Sequence, residues 1–138
     1  MEKLKVLIVD DEPEFVELVK MRLENSGYDV ITAPDGKAGL AQIKTGAPDA
    51  VLLDIFMPGI DGLEVLKKIR RHNKVLPVFI VTAFSSEDRF EKARKYNVSG
   101  FIVKTSDLKK EVVNIANAIS VSRMYKGESS SNKQKGKQ

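Results

Sequence analysis

The sequence contains no cysteine and a single histidine, His72. Without cysteine there is no disulfide framework, thiol nucleophile, cysteine-based zinc site or iron–sulfur cluster. A multi-histidine metal site within one chain is excluded as well. A Ser-His-Asp triad would have to use His72, and nothing around that residue supports one. No run approaches the roughly 20 apolar residues of a membrane span. The N-terminus starts charged, but the apolar run after it is only Val6-Leu7-Ile8-Val9 before two aspartates. That is too short for a signal peptide. These absences together predict a cytoplasmic protein with no membrane partner.

A strong charge imbalance is also missing from the body of the chain. The net charge is +4. From Lys126 to Gln138 four lysines face one glutamate, and the other 19 basic and 18 acidic residues nearly balance. The excess therefore belongs to the tail rather than to a basic face on the folded body, and direct nucleic-acid binding is not expected. The tail has no apolar residue after Lys126 and reads as disordered, a linker or a remnant.

What is present is an ordinary globular mix. The 138 residues are 42% hydrophobic and 30% charged, enough for one domain with its own core. Residues 1–125 form the expected domain and residues 126–138 the tail. Short apolar runs alternate with amphipathic segments. Strands are predicted over Leu4–Val9, Tyr28–Thr32, Ala50–Leu53, Val78–Val81 and Phe101–Val103. Between them lie helices: one from Pro13 with Phe15, Leu18, Val19, Arg22 and Leu23 at helical spacing, one capped by Asp35, and one over Leu63–Arg71. A fourth starts at a Ser85–Asp88 capping box and ends near Tyr96. The last helix, from about Ser106, aligns Leu108, Val112, Ile115, Ala116 and Ile119. Five strand–helix repeats with continuous apolar strands predict an α/β fold, a doubly wound parallel sheet with helices on both faces.

In such a sheet, chemistry gathers beyond the carboxyl ends of the strands. Asp10 and Asp11 follow the first strand and Asp54 follows the third. Clustered carboxylates repel unless a cation or a proton joins them. An all-oxygen donor set with no nearby histidine or cysteine favours Mg2+ or Mn2+. A competing role for such aspartates is helix capping, by Asp10 or Asp11 for the first helix and Asp61 for the third. Thr82 ends the fourth strand and Lys104 the fifth, bringing a hydroxyl and an ammonium to the same rim. A carboxylate nucleophile, a metal site, a hydroxyl and a cation are the parts that phosphoryl transfer requires.

With those residues in view, the sequence resembles the receiver domain of two-component response regulators over about residues 4–124. The matching stretches are Val-Leu-Ile-Val-Asp-Asp-Glu-Pro (6–13), Leu-Leu-Asp-Ile-Phe-Met-Pro-Gly-Ile-Asp-Gly-Leu-Glu (52–64), Ile-Val-Thr-Ala (80–83) and Gly-Phe-Ile-Val-Lys (100–104). The resemblance implies the flavodoxin-like strand order 2-1-3-4-5. It also implies roles. Asp54 accepts a phosphoryl group from a sensor histidine kinase. Asp10, Asp11, Asp54 and the backbone carbonyl of Phe56 hold Mg2+. Lys104 pairs with phosphoryl oxygens, and Thr82 and Phe101 form the switch. Output passes through helix 4, strand 5 and helix 5, drawing on Arg89, Arg94, Lys95, Tyr96, Lys109 and Lys110. That face reaches a downstream protein, an attached output domain or a second copy of the chain.

The chain departs from the family pattern in three places. Thr105 follows Lys104 where many receivers carry proline, often with a cis bond. A cis bond before a non-proline residue costs about 2.5–4 kcal/mol, so a trans bond or a strained cis one is expected. Phe56 and Phe84 place two aromatics on the site rim, which predicts restricted access of water and slow self-dephosphorylation. Two other activities suit a similar sheet but not these residues. A phosphatase with an aspartate nucleophile needs a second acid two residues on, where Phe56 stands. A flavin phosphate would be repelled by Asp10-Asp11-Glu12. A phosphohistidine carrier would need His72, which reads as a surface residue among Arg70, Arg71, Asn73 and Lys74. A pure interaction domain would leave the combination of Asp10, Asp11, Asp54, Thr82 and Lys104 unexplained.

Overall fold

The computed structural model describes residues 3–57, 59–83, 87–104, 107, 109–110 and 112–121. The expectations for Phe84, the Ser85 cap, the Lys104–Thr105 peptide, Ser106, Leu108 and the 126–138 tail lie outside these residues. The elements run β1 (Lys5–Val9), α1 (Pro13–Asn25), β2 (Asp29–Ala33), α2 (Gly36–Gly46), β3 (Ala50–Leu53), α3 (Gly62–His72), β4 (Val78–Thr82), α4 (Glu87–Arg94) and β5 (Gly100–Val103). A closing helix, α5, covers residues 112–121. All strand pairs are parallel, in the order β2-β1-β3-β4-β5. Both the doubly wound class and the strand order agree with the expectation.

Strand alternation divides the core into two layers. Val6, Ile8, Leu52, Phe79 and Val81 face α1 and α5, meeting Phe15, Val19, Leu23, Ile115 and Ile119. Leu7, Val9, Val51, Leu53 and Ile80 face α2, α3 and α4, meeting Val65, Leu66, Ile69 and Ala93. Each fully buried side chain of this kind contributes about 1.5–3 kcal/mol. The central strands β3 and β4 are buried along their whole length, as sheets covered on both faces require.

Local chemistry sets the helix boundaries. Pro13 occupies the first turn of α1, where its missing N–H costs nothing. Gly27 follows α1 at φ +96°, a left-handed conformation that glycine adopts without strain. Asp35 caps α2 by accepting from the Ala38 N–H at 2.8 Å. Asp61 caps α3 by accepting from the Leu63 N–H at 2.9 Å. No side chain caps α1, whose N-terminal flanking residue is Glu12, so the capping alternative holds for Asp61 and not for Asp10 or Asp11. Arg22 is exposed, and Val16 is buried beside Phe15 in its stead.

Arg70 differs most from its sequence context. It lies in a basic run that reads as surface, yet it is only 9% exposed. Its Nε donates to Tyr96 O at 2.6 Å, Nη1 to Asn73 O at 3.0 Å and Nη2 to Asn97 O at 3.0 Å. Burial pulls the guanidinium pKa down, but the group remains charged. It ties the ends of α3 and α4 to the turn that leads into β5. Arg70→Met keeps the length but strands these carbonyls. Such a loss costs about 2–4 kcal/mol, read as a lowered urea midpoint at unchanged slope. A change under about 0.5 kcal/mol would show the bonds to be dispensable.

Candidate phosphoryl site

The strand register builds the site. Val9 pairs with Leu53, so the next residues, Asp10 and Asp54, come side by side. The ladder continues past both strands: the Asp54 N–H donates to Val9 O at 3.0 Å and the Asp10 N–H to Ala33 O at 3.1 Å. On the other side Thr82 pairs with Val103, and the Lys104 N–H donates to Thr82 O at 2.6 Å. Four strand ends thus deliver Asp10, Asp54, Thr82 and Lys104 to one edge, and Asp10, Asp54 and Thr82 are buried there.

Lys104 is the centre of the charge arrangement. Its Nζ lies 2.7 Å from Asp10 Oδ2, 2.8 Å from Glu12 Oε1 and 3.4 Å from Asp54 Oδ2. The ammonium also stands 4.3 Å from the centre of the Phe15 ring. Asp10 Oδ1 accepts from the Glu12 N–H and Asp54 Oδ1 from the Phe56 N–H, each at 2.9 Å. These two turns hold both carboxylates in place. Asp10 Oδ2 is buried and, despite its ion pair with Lys104, has no aligned hydrogen bond.

Burial dominates the electrostatics. It pushes the Asp10 carboxyl up to about 6, against the pull of Lys104 and the Glu12 N–H. Burial raises Asp54 too, the Phe56 N–H and Lys104 oppose it, and the negative charge of Asp11 adds to the rise. Burial disfavours the charged form of Lys104, but its close pairing with the Asp10 and Glu12 carboxylates outweighs that and raises its pKa.

The acids that come together differ in one member from those expected. Ligand oxygens of Asp10, Glu12 and Asp54 lie within 4.8 Å of one another. Asp11 is exposed and is not in that group, although its charge is felt at Asp54. The turn closed by Asp10 Oδ1 brings residue 12, rather than 11, back over Lys104. Glu12 was therefore missed as a site residue, and three consecutive acids carry no pattern that singles it out. The donor chemistry fits a hard divalent cation: all-oxygen ligands, a buried carboxylate oxygen without an aligned hydrogen bond, and acids close enough to draw the Lys104 ammonium between them.

Around the rim, Phe56 is half-buried with the Arg89 guanidinium 4.5 Å from its ring centre. Arg89 also donates to both carboxylate oxygens of Asp61, at 2.9 and 2.8 Å. Phe101 is half-buried against Phe90, with ring centres 4.9 Å apart, and Arg94 lies 5.9 Å from its ring. His72 is exposed at the C-terminus of α3, the end remote from the acids.

Comparison with known proteins agrees with this geometry. Residues 6–116 match the response regulator receiver domain family. The chain is 43% identical over 88 residues to the alkaline phosphatase synthesis transcriptional regulatory protein PhoP of Bacillus subtilis. That match covers 64% of this chain and 36% of the regulator, so the chain spans only about a third of its length. The chemotaxis protein CheY4 of Vibrio cholerae superposes with a TM-score of 0.76 at 27% identity, covering 85% of this chain and 99% of that one. The Mn2+-bound form of response regulator Rcp1 superposes with a TM-score of 0.74 at 26% identity, covering 83% and 90%.

A five-stranded parallel sheet in this order, with acids and a lysine at its carboxyl edge, defines a receiver. The chain belongs to the response regulator receiver domain family, whose members are signalling switches of two-component systems rather than classical enzymes. No described helix is long and apolar enough to cross a membrane.

Proposed function

We propose that the chain is a Mg2+-dependent phospho-accepting switch with Asp54 as the acceptor. The observation that carries this reading is the gathering of the Asp10, Glu12 and Asp54 carboxylates around the Lys104 ammonium in a receiver chain. An Asp54 carboxylate oxygen attacks the phosphorus of a kinase phosphohistidine. The phosphorus–nitrogen bond breaks, and its electron pair returns to the imidazole, which takes up a proton from solvent. Asp10, Asp11, Asp54 and the Phe56 carbonyl are the residues that would hold Mg2+ (Mn2+ is the alternative). The cation supplies charge neutralisation of the phosphoryl oxygens. Lys104 turns from its carboxylates toward those oxygens, leaving Glu12 as its solvent-facing partner. Thr82 donates its hydroxyl to the phosphoryl group.

Phosphorylation adds about −1.5 to −2 charges and shifts a two-state equilibrium of Thr82 and Phe101. The change leaves through α4, β5 and α5, toward a downstream protein, an attached output domain or a second copy. The receiver unit is residues 1–125, with 126–138 a polar tail or linker, and it works in the cytoplasm. The chemistry is tested by labelling the protein from a small radioactive acyl phosphate with Mg2+. A label released by hydroxylamine identifies an acyl phosphate and supports the reading. A hydroxylamine-resistant label, or no label even when a phosphorylated histidine kinase is the donor, overturns it.

Phe56 sets the lifetime of the phosphoryl group. The Arg89 guanidinium stands 4.5 Å from its ring centre, and Arg89 is itself paired with Asp61. Removing about 1 kcal/mol of restriction on the attacking water speeds hydrolysis roughly fivefold. Phe56→Asn is expected to show that acceleration, and Arg89→Ala a smaller one, as the label decays. Unchanged decay in both variants would place the ring outside the path of water.

A further inference from the structure

The last turns of α2 and α3 enclose a groove of about 610 Å3 at the end of the molecule remote from Asp54. Leu40 and Ile43 of α2 and Ile69 of α3 supply its apolar lining, and Lys44, Lys68 and Arg71 its charge. This part of the fold is strongly one-signed, although the body as a whole is nearly neutral. α2 carries Lys37 and Lys44 and no acid, and α3 carries Lys67, Lys68, Arg70 and Arg71 against Glu64 alone. Glu64 is engaged by Lys67 at 3.3 Å, and Arg70 is turned inward onto carbonyls. Lys44, Lys68 and Arg71 are exposed, and no ion pair engages them among the described residues.

We infer that this groove docks an acidic amphipathic helix of a partner protein. Its aliphatic stripe lies on Leu40, Ile43 and Ile69, and flanking Asp or Glu residues meet Lys44, Lys68 and Arg71. Charge complementarity selects this occupant. The chain's own residues 126–138 are basic and lack apolar side chains, so they are repelled from the groove and offer nothing to its lining. A second copy related by a two-fold axis would set the basic rims against each other. A nucleic acid would find positive charge but, among the described lining residues, only the His72 ring on which to stack a base, over a floor that is otherwise aliphatic. Because the groove lies at the opposite end from Asp54 and off the α4–β5–α5 face, the helix stays docked whether or not the protein is phosphorylated. It tethers a partner while the other face switches.

The probe is a fluorescent helical peptide of about 18 residues, long enough to nucleate, with a leucine stripe flanked by glutamates. The controls are the same peptide with lysines for the glutamates, and a double-stranded DNA oligonucleotide. Binding to the full chain is followed by anisotropy, and backbone amide shifts locate it. The expected result is binding of the acidic peptide alone, with shifts centred on α2 and α3 and equal affinity before and after acyl-phosphate treatment. The exposed charge reversal Lys44→Glu/Lys68→Glu/Arg71→Glu should weaken it about tenfold or more, as loss of complementary charge does. The shift map on the unmodified protein stands independently of how that variant folds. Absence of binding, shifts centred elsewhere, indifference to the reversal in a folded variant, or tighter binding of the DNA would each overturn the assignment.

Discussion

Gly62→Ala is expected to destabilise the protein by about 2–4 kcal/mol, in the range of severe steric substitutions, and to cripple phosphoryl uptake with it. Gly62 opens α3 and lies directly under the turn that carries Asp54. A Cβ at this position would sit 2.6 Å from Asp54 O and closer still to Ile55 Cα. Those neighbours are backbone atoms and cannot rotate away, so either α3 or the 54–55 segment must shift. Displacing Asp54 even slightly spoils attack geometry, to which group transfer is steeply sensitive. Gly36→Ala is the informative contrast. Its nearest neighbour is a side-chain methyl of Val65, which repacks more cheaply than backbone. Urea unfolding of both variants, with label uptake by each, decides the matter. A Gly62→Ala protein of native stability and native uptake would mean that α3 is not packed against the acceptor turn.

The second large effect is a conflict between stability and function at Asp10. Its carboxyl is pushed up to about 6 in the folded protein, against about 3.9 in an unfolded chain. The folded state therefore binds the extra proton between those values. The contribution of this carboxyl to stability is greatest below the unfolded pKa and falls as pH rises through about 6, after which the ionised acid is a constant burden. Returning the metal-free protein from pH 7.5 to pH 5 should recover roughly 1–1.5 kcal/mol. Asp10→Asn removes the burden and should raise stability at pH 7.5 by up to ~3 kcal/mol, since a pKa unit is worth about 1.4 kcal/mol. The same variant should lose the stabilisation that Mg2+ confers on the parent, because a cation favours the ionised cluster. Urea midpoints at two pH values, with Mg2+ and with a chelator, test all these effects. A pH-independent midpoint and an unstable Asp10→Asn would show that Lys104 fully compensates the buried charge.

Asp10 also marks what was legible in the sequence. Asp10, Asp54, Thr82 and Lys104 were visible because each directly follows or ends an apolar run, and a parallel sheet sends all such ends to one edge. The run Ala50–Leu53 coincided with β3 because a strand buried on both faces must be apolar at every position. The strand order was not contained in those runs. It came from the family resemblance, since alternation of elements does not say which strands are neighbours. Glu12 was hidden because its role depends on a turn made by the Asp10 side chain. Arg70 was hidden because its partners are backbone carbonyls of Asn73, Tyr96 and Asn97, which leave no trace in residue types. The basic α2–α3 face does not show in the net charge of the whole body, which averages away a local excess.

The proposed switch depends on Asp54 as a Mg2+-dependent phosphoryl acceptor. The most direct measurement is the intact mass of the protein after exposure to Mg2+ and a small acyl phosphate, with Asp54→Asn and a chelator as controls. The expected result is the addition of one phosphoryl group, absent from the variant and without Mg2+. A phosphoryl group gained equally by Asp54→Asn, or no gain in folded protein even when a phosphorylated histidine kinase is the donor, would contradict it.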